Sequence, residues 1–188
     1  MDSLAKDAGL WFGMGSEGTM TAANDSYGSF VYGTYTITEL KTEATRNMKM
    51  YTSTFTIDTD GKVLDLGTVN NVPMRIKTTL VDVNGEHFTE ATSTVTLTDH
   101  VAYKNLDTDK TYTLTGTLYV KDGDALTELM IETVDFQPTE TSGTQDVTFT
   151  FDASELVGKS VVAFEELSVN GEFCAEHKDK DDENQTVT

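Results

Sequence analysis

The chain is 188 residues long and strongly acidic: 32 Asp and Glu against 13 Lys and Arg leave a formal net charge of −19, with 37% hydrophobic residues. That length suits one domain or two small ones, and the charge repels phosphates, which argues against nucleic acid or an anionic membrane as a partner. With 2 prolines, 14 glycines and a single cysteine, collagen-like, disordered and disulfide-framework classes are set aside, and Cys174 reads as a small apolar core residue.

The N-terminus, Met1-Asp2-Ser3-Leu4-Ala5-Lys6, has neither the basic nor the apolar region of a signal peptide, and no apolar run is long enough to cross a bilayer. Such a chain is either cytosolic or a segment of a longer exported protein. Gly9-Leu10-Trp11-Phe12-Gly13 and the Gly/Ser/Asn-rich stretch up to Gly33 read as irregular. Alternation with period two then predicts strands at Tyr35–Leu40 and Thr54–Ile57, a turn at Asp58–Gly61 and a strand at Val63–Leu66, with Asn70–Pro73 as a linker. These strands are too few to close a sandwich, so residues 1–72 are expected to be the end of a β-domain.

Beyond the linker, strands are predicted at Met74–Val83, Ser93–Tyr103, Thr111–Val120, Glu128–Phe136, Thr144–Phe151, Ser160–Val169, Glu172–His177 and Gln185–Thr188. Asn84-Gly85, Asp122-Gly123 and Asn170-Gly171 are hairpin signals, and Asp152–Val157 fits one helical turn. Short strands at this spacing describe an all-β fold, an immunoglobulin-like or prealbumin-like sandwich over residues 73–188.

Alternation also assigns faces, and several polar residues fall on apolar ones. Thr78 lies with Ile76 and Leu80; Asp99 with Val95, Leu97, Val101 and Tyr103; His177 with Phe173 and Ala175; Gln185 with Val187. Glu165 goes with Val161, Ala163 and Leu167, its neighbour Glu166 with Val162 and Phe164, so one of the two must face apolar side chains. Buried polar groups need partners, and buried carboxylates more so. One reading is a structural hydrogen-bond network. The sharper reading is a reaction centre, because a Thr hydroxyl is a nucleophile, a Gln carboxamide an acyl donor, and His and carboxyl groups move protons. Such a set can join Thr Oγ to the Gln carbonyl carbon and expel ammonia. The placement of His177 and Gln185 on either side of the acidic stretch Lys178–Asn184 is not something packing alone requires.

Those residues carry a resemblance. Val162-Ala163-Phe164-Glu165 is similar to the string that names VaFE-repeat domains. Ile76-Lys77-Thr78-Thr79, Leu97-Thr98-Asp99, Leu114-Thr115-Gly116-Thr117-Leu118, Phe149-Thr150-Phe151-Asp152-Ala153-Ser154, Ala175-Glu176-His177-Lys178-Asp179 and Asp182-Glu183-Asn184-Gln185-Thr186 match the family in order. The resemblance covers residues 73–188. It implies a stalk domain of Gram-positive surface adhesins, extracellular and wall-anchored, with an autocatalytic Thr–Gln ester between first and last strands. Carried over, Thr78 is the nucleophile, Gln185 the acyl partner, His177 and Glu165 the proton carriers and Asp99 the acidic helper. The motif favours Thr78 over Thr79 and Glu165 over Glu166. Leu80 departs from the family, where a small residue is usual.

Tyr32–Leu40 and Val63–Thr68 resemble the end of a Cna-B or SpaA-like domain, which implies a Lys–Asn isopeptide bond with Glu39 as helper and Asn70 or Asn71 as acyl partner; the lysine strand is not recognisable. No cofactor and no metal is expected, since Asp58–Gly61 and Asp179–Glu183 lack the remaining calcium-loop spacing. The expected partners are neighbouring stalk domains of the same polypeptide and a host or matrix ligand bound elsewhere in the parent protein. Self-modification of this kind occurs once per molecule, so the chain is not expected to be an enzyme. Two other classes stay open: a carbohydrate- or protein-binding sandwich, and a hydrolase using Thr, His and Asp.

Overall fold

A computed structural model describes residues 32–59 and 64–188. The chain divides into two units, one comprising residues up to Leu40 together with Met50–Asn70, the other Lys41–Lys49 together with Asn71–Thr188. The division differs from a single break near residue 72, because Lys41–Lys49 belongs with the larger unit. There Met74 N–H donates to Asn47 O (2.7 Å), Lys49 N–H to Val72 O (3.0 Å), and Met48 bridges Pro73.

In the smaller unit, β1 (Gly33–Thr38) pairs antiparallel with β2 (Thr52–Ile57). Thr34–Thr56 and Thr36–Thr54 hydroxyl pairs line one face, and Tyr35 stacks on Phe55 on the other. The expected strand at Val63–Leu66 is not formed over residues 64–66; Val63 and the turn residues Asp60 and Gly61 lie outside the described residues. The reason is local: Asp65 accepts from the Gly67 N–H (2.8 Å) and Gly67 has φ +71°, a turn that competes with extension.

The larger unit is a two-sheet β-sandwich. One sheet has the order β10 (Glu172–His177), β9 (Ser160–Val169), β6 (Tyr112–Asp122), β7 (Ala125–Phe136), with β11 (Thr186–Val187) also on β9. The other holds β3 (Arg75–Lys77) and β4 (Leu80–Asp82) on one edge of β5 (Val95–Lys104), and β8 (Ser142–Phe151) on its other edge. Inward rows from both sheets make the core: Val95, Leu97 and Val101 of β5, Leu114 and Leu118 of β6, Val147 and Phe149 of β8, Ala163 and Leu167 of β9. Burial of such side chains is worth about 1.5–3 kcal/mol each.

Two hairpin signals act as expected. The Asp122-Gly123 signal marks the turn from β6 to β7, although Asp122 is the last paired residue and the loop is Gly123-Asp124, one position later; Asn170-Gly171 joins β9 to β10 with φ of 52° and 78°, the left-handed pair that a two-residue hairpin needs. Asn84-Gly85 turns the chain but closes no hairpin between adjacent strands, since residues 83–94 intervene before β5. Asp82 instead accepts from Asn84 and Glu86 N–H (both 2.8 Å) and from Asn84 Nδ2 (2.9 Å). Asp152–Val157 forms turns capped by Asp152, not a helical turn.

Both sheets carry an interrupted edge strand. The expected single strand Met74–Val83 is β3 and β4 with a gap at Thr78-Thr79, yet the register is continuous: Lys77 pairs with Ala102, Leu80 with Asp99, and Thr79 exchanges both backbone hydrogen bonds with His100. On β9, β10 occupies the half around Glu165 and β11 the half around Val162, with residues 178–185 between them. Thr78 lies in one interruption; His177 and Gln185 flank the other.

Candidate functional site

Thr78 is fully buried and points inward with Ile76 and Leu80. Its amide points away from β5 at the open edge of the sheet and donates to His177 Nδ1 (3.3 Å), and its hydroxyl lies 3.2 Å from the same nitrogen. Since a backbone N–H only donates, Nδ1 must be the accepting nitrogen, so the proton of neutral His177 sits on Nε2. Nε2 in turn is 3.5 Å from Asp182 Oδ2. Burial, more than any charge, holds the His177 pKa below its ordinary value; Asp182 and Asp179 pull it up in part and Lys77 pushes it down. A neutral imidazole with its lone pair on a threonine hydroxyl is a general base.

Gln185 closes a 3₁₀ turn, Glu183–Gln185, and is fully buried. Its Nε2 donates to Ala163 O (2.8 Å) and His177 O (3.1 Å), and its Oε1 accepts from the Asp179 N–H (3.2 Å). Two carbonyls on the nitrogen and one N–H on the oxygen fix the orientation of the carboxamide. The N–H on Oε1 also polarises the carbonyl toward attack. Thr78 and Gln185 thus converge on His177, one at its ring and the other at its backbone carbonyl.

Asp99 and Glu165 meet in the interior between the sheets, both fully buried. None of their four carboxyl oxygens has a conventional donor, so the pair is satisfied only if one carboxyl keeps its proton and donates to the other. Burial is the main cause that pushes Glu165 up to about 9, reinforced by the Asp99 charge. Burial also raises Asp99, to about 6, while Glu165, the Thr78 side chain and the Thr79 backbone favour its ionised form. Burial thus favours one shared proton on the pair at neutral pH, with the larger upward shift at Glu165. Glu166 faces outward and pairs with Lys178 (2.7 Å), so of the two adjacent glutamates Glu165 is the one inside. Leu80, also fully buried, sits directly across from Asp99 and helps to keep water from the carboxyls.

The structure brings all five expected residues together, with one correction to the reasoning behind His177. Phe173 does not share its face. A bulge at Cys174 shifts the β10 register, turning Cys174 and Ala175 inward and Phe173 outward, where Arg46 stacks over its ring at 4.2 Å. Two elements were not read from the sequence as part of the site: the Asp182 carboxylate behind His177 and the Asp179 N–H on Gln185. Asp182 also caps the 3₁₀ turn by accepting from Asn184 N–H (2.9 Å). An Asp three residues before the turn's end is a capping signal, which was legible; the link to His177 needed the fold. No group of three or more His, Cys, Asp or Glu side chains suited to a metal occurs among the described residues. Glu39 accepts from the Tyr51 N–H (3.3 Å), and Asn70 is exposed.

A family model described as the T-Q ester bond containing domain matches residues 74–188, and the chain belongs to that family. Among solved structures, a bacterial adhesin from Mobiluncus mulieris, described as containing intramolecular disulfide, isopeptide and ester bond cross-links, is similar in two crystal forms, with TM-scores of 0.53 and 0.52 at 17% identity. Each alignment covers 61% of this chain and 56% of that one, so the chain spans just over half the length of that protein. At such identity the likeness establishes the β-sandwich fold. No curated protein matches the chain.

Proposed function

We propose that this member of the T-Q ester bond family is a structural domain of a bacterial surface adhesin, which stabilises itself by an ester between Thr78 Oγ1 and Gln185 Cδ. The observation that carries this reading is the convergence of a buried Thr hydroxyl and a buried, oriented carboxamide on one neutral histidine. His177 Nδ1 takes the hydroxyl proton as Oγ1 attacks Cδ. The negative charge that develops on Oε1 is met by the Asp179 N–H, and Asp182 stabilises the imidazolium. Collapse breaks the Cδ–Nε2 bond; the nitrogen collects a proton from His177 or from the Asp99–Glu165 pair and leaves as ammonia. One ester and one ammonia form from one hydroxyl and one carboxamide, with no water consumed and no cofactor.

The bond would close a loop of roughly a hundred residues, for which restriction of the unfolded chain is worth about 4–5 kcal/mol. Its mechanical effect is larger in consequence. It joins the edge strand of one sheet to the loop before the last strand of the other, so tension on the domain's ends runs through a covalent bond and spares the strands between. This suits a stalk in an extracellular, wall-anchored protein whose ligand-binding part lies elsewhere, and it serves where a single buried cysteine offers no disulfide. The chemistry happens once per molecule.

The test is the intact mass of denatured protein for the parent, Thr78→Ala and Gln185→Ala. The parent is expected one ammonia lighter than its sequence, and each variant is expected at its full sequence mass. A parent at full mass, or a Thr78→Ala variant that lacks as many ammonias as the parent, sinks the ester. A further ammonia missing from all three would place an isopeptide in the N-terminal part.

A further inference from the structure

We propose that Gly116 is a positioning residue for the cross-linking chemistry: its missing side chain is the space in which the Glu165 carboxyl lies against Asp99. This inference rests on the ester reading above.

Gly116 sits at the middle of β6, between Glu165 of β9 and Glu132 of β7, with the fully buried Leu114 and Leu118 on its inward row. Glycine weakens a strand interior, and where it persists the reason is either backbone conformation or a close approach. Conformation is not the reason, because Gly116 is absent from the positive-φ glycines. Space is. A Cβ at position 116 would lie 2.4 Å from Glu165 Oε1, 2.7 Å from Phe149 Cζ and 3.0 Å from Val147 Cγ1. The nearest atom is the carboxyl oxygen itself, and it has nowhere to retreat: Glu165, Phe149 and Val147 are all fully buried.

The consequence is chemical. A methyl group at 116 drives the Glu165 carboxyl off Asp99. The two acids then lose the hydrogen bond that joins them in an apolar interior. Asp99 is the member of the pair that neighbours Thr78, and the proton the two acids share is no longer in place there when ammonia leaves.

The experiment follows ammonia loss over time by intact mass in the parent, Gly116→Ala and Gly143→Ala. Gly143 is the control: its added Cβ meets Tyr103 Oη at 2.5 Å, a similarly close approach on the same sandwich to a ring outside the carboxyl pair. Side-chain carboxyl carbons are followed in parallel by NMR titration. Gly116→Ala is expected to purify uncross-linked and to react about a hundredfold more slowly or worse, the scale of a lost acid–base group, with Asp99 and Glu165 titrating independently. Gly143→Ala is expected to cross-link at the parent rate with the joint titration intact. Should Gly116→Ala not fold, Gly116→Ala/Phe149→Leu relieves the ring clash, leaves the carboxyl clash, and carries the same expectation. Parent-like cross-linking in Gly116→Ala, or equal slowing in Gly143→Ala, overturns the proposal. If the parent itself loses no ammonia, the ester reading fails, and the titration alone decides Gly116: joint in the parent and independent in the variant supports it, unchanged overturns it.

Discussion

Replacing Asp182 by Asn tests whether the loop before the last strand is chemical or only structural. The change keeps the side chain's shape and an oxygen to cap Asn184, whose N–H and Nδ2 both lie 2.9 Å from Asp182 Oδ1, but removes the charge behind His177. At 3.5 Å and an effective dielectric near 20, attraction between an imidazolium and a carboxylate is about 4–5 kcal/mol. The two side chains are 21% and 18% exposed, and solvent screening cuts this to about 2–3 kcal/mol. That corresponds to a cross-linking rate roughly 30- to 150-fold slower. The amide adds to the effect in the same direction. With its oxygen engaged by Asn184, its NH₂ faces Nε2, which favours the proton on Nδ1, where the Thr78 hydroxyl and N–H now point. In serine-protease triads the same substitution costs about 10⁴; the longer, wetter contact here explains the smaller figure. The assay is the fraction cross-linked by intact mass at successive times after purification. Asp181→Asn is the control, since Asp181 faces Lys121 and Lys180. Asp182→Asn arriving fully cross-linked, or Asp181→Asn slowed as much, would refute the assignment of Asp182 to His177.

Two further expectations concern pH. Cross-linking followed in Asp182→Asn is expected to show a bell-shaped profile. Its acid limb lies below the ordinary histidine range, because burial depresses His177 and the neutral form is the base; its alkaline limb lies near pH 9, where Glu165 gives up its proton. A profile flat through pH 9 would remove the carboxyl pair from the chemistry. Stability gives the second check. Glu165 has a folded pKa raised above its unfolded value, so the folded chain holds an extra proton between the two, and stability falls as pH rises through that window. In a Thr78→Ala background, which has no hydroxyl to cross-link, urea unfolding is expected to weaken between about pH 5 and 9, and Glu165→Gln is expected to flatten that slope. A slope unchanged by Glu165→Gln would mean that Glu165 is ionised in the fold.

Much of this protein was legible in its residues because the strand period is two. Val95, Leu97, Asp99, Val101 and Tyr103 fall on one face whichever way β5 is placed, and the same rule put Thr78 with Ile76 and Glu165 with Ala163 and Leu167. Polar side chains on apolar faces were therefore visible as anomalies before any partner was known. Where the period broke, the reading failed. The Cys174 bulge separated Phe173 from His177, and the Asp65–Gly67 turn replaced an expected strand. Both are single-residue backbone choices, which alternation does not encode.

Local pattern thus determined most of the inward rows, two of the three hairpins, and that a hydroxyl, a carboxamide and acids lie on apolar faces. It could not decide their pairing, because contacts between Thr78 and His177, 99 residues apart, depend on two sheets meeting edge to edge. The tertiary structure alone set the tautomer of His177, by aiming the Thr78 amide at Nδ1. It alone recruited Asp182 and the Asp179 N–H, and it buried Glu165 and turned Glu166 outward to Lys178, the choice that alternation left open and the motif resemblance implied. Face assignment is a property of one strand; proton position and reactivity belong to the space between strands, where burial and neighbouring dipoles act together.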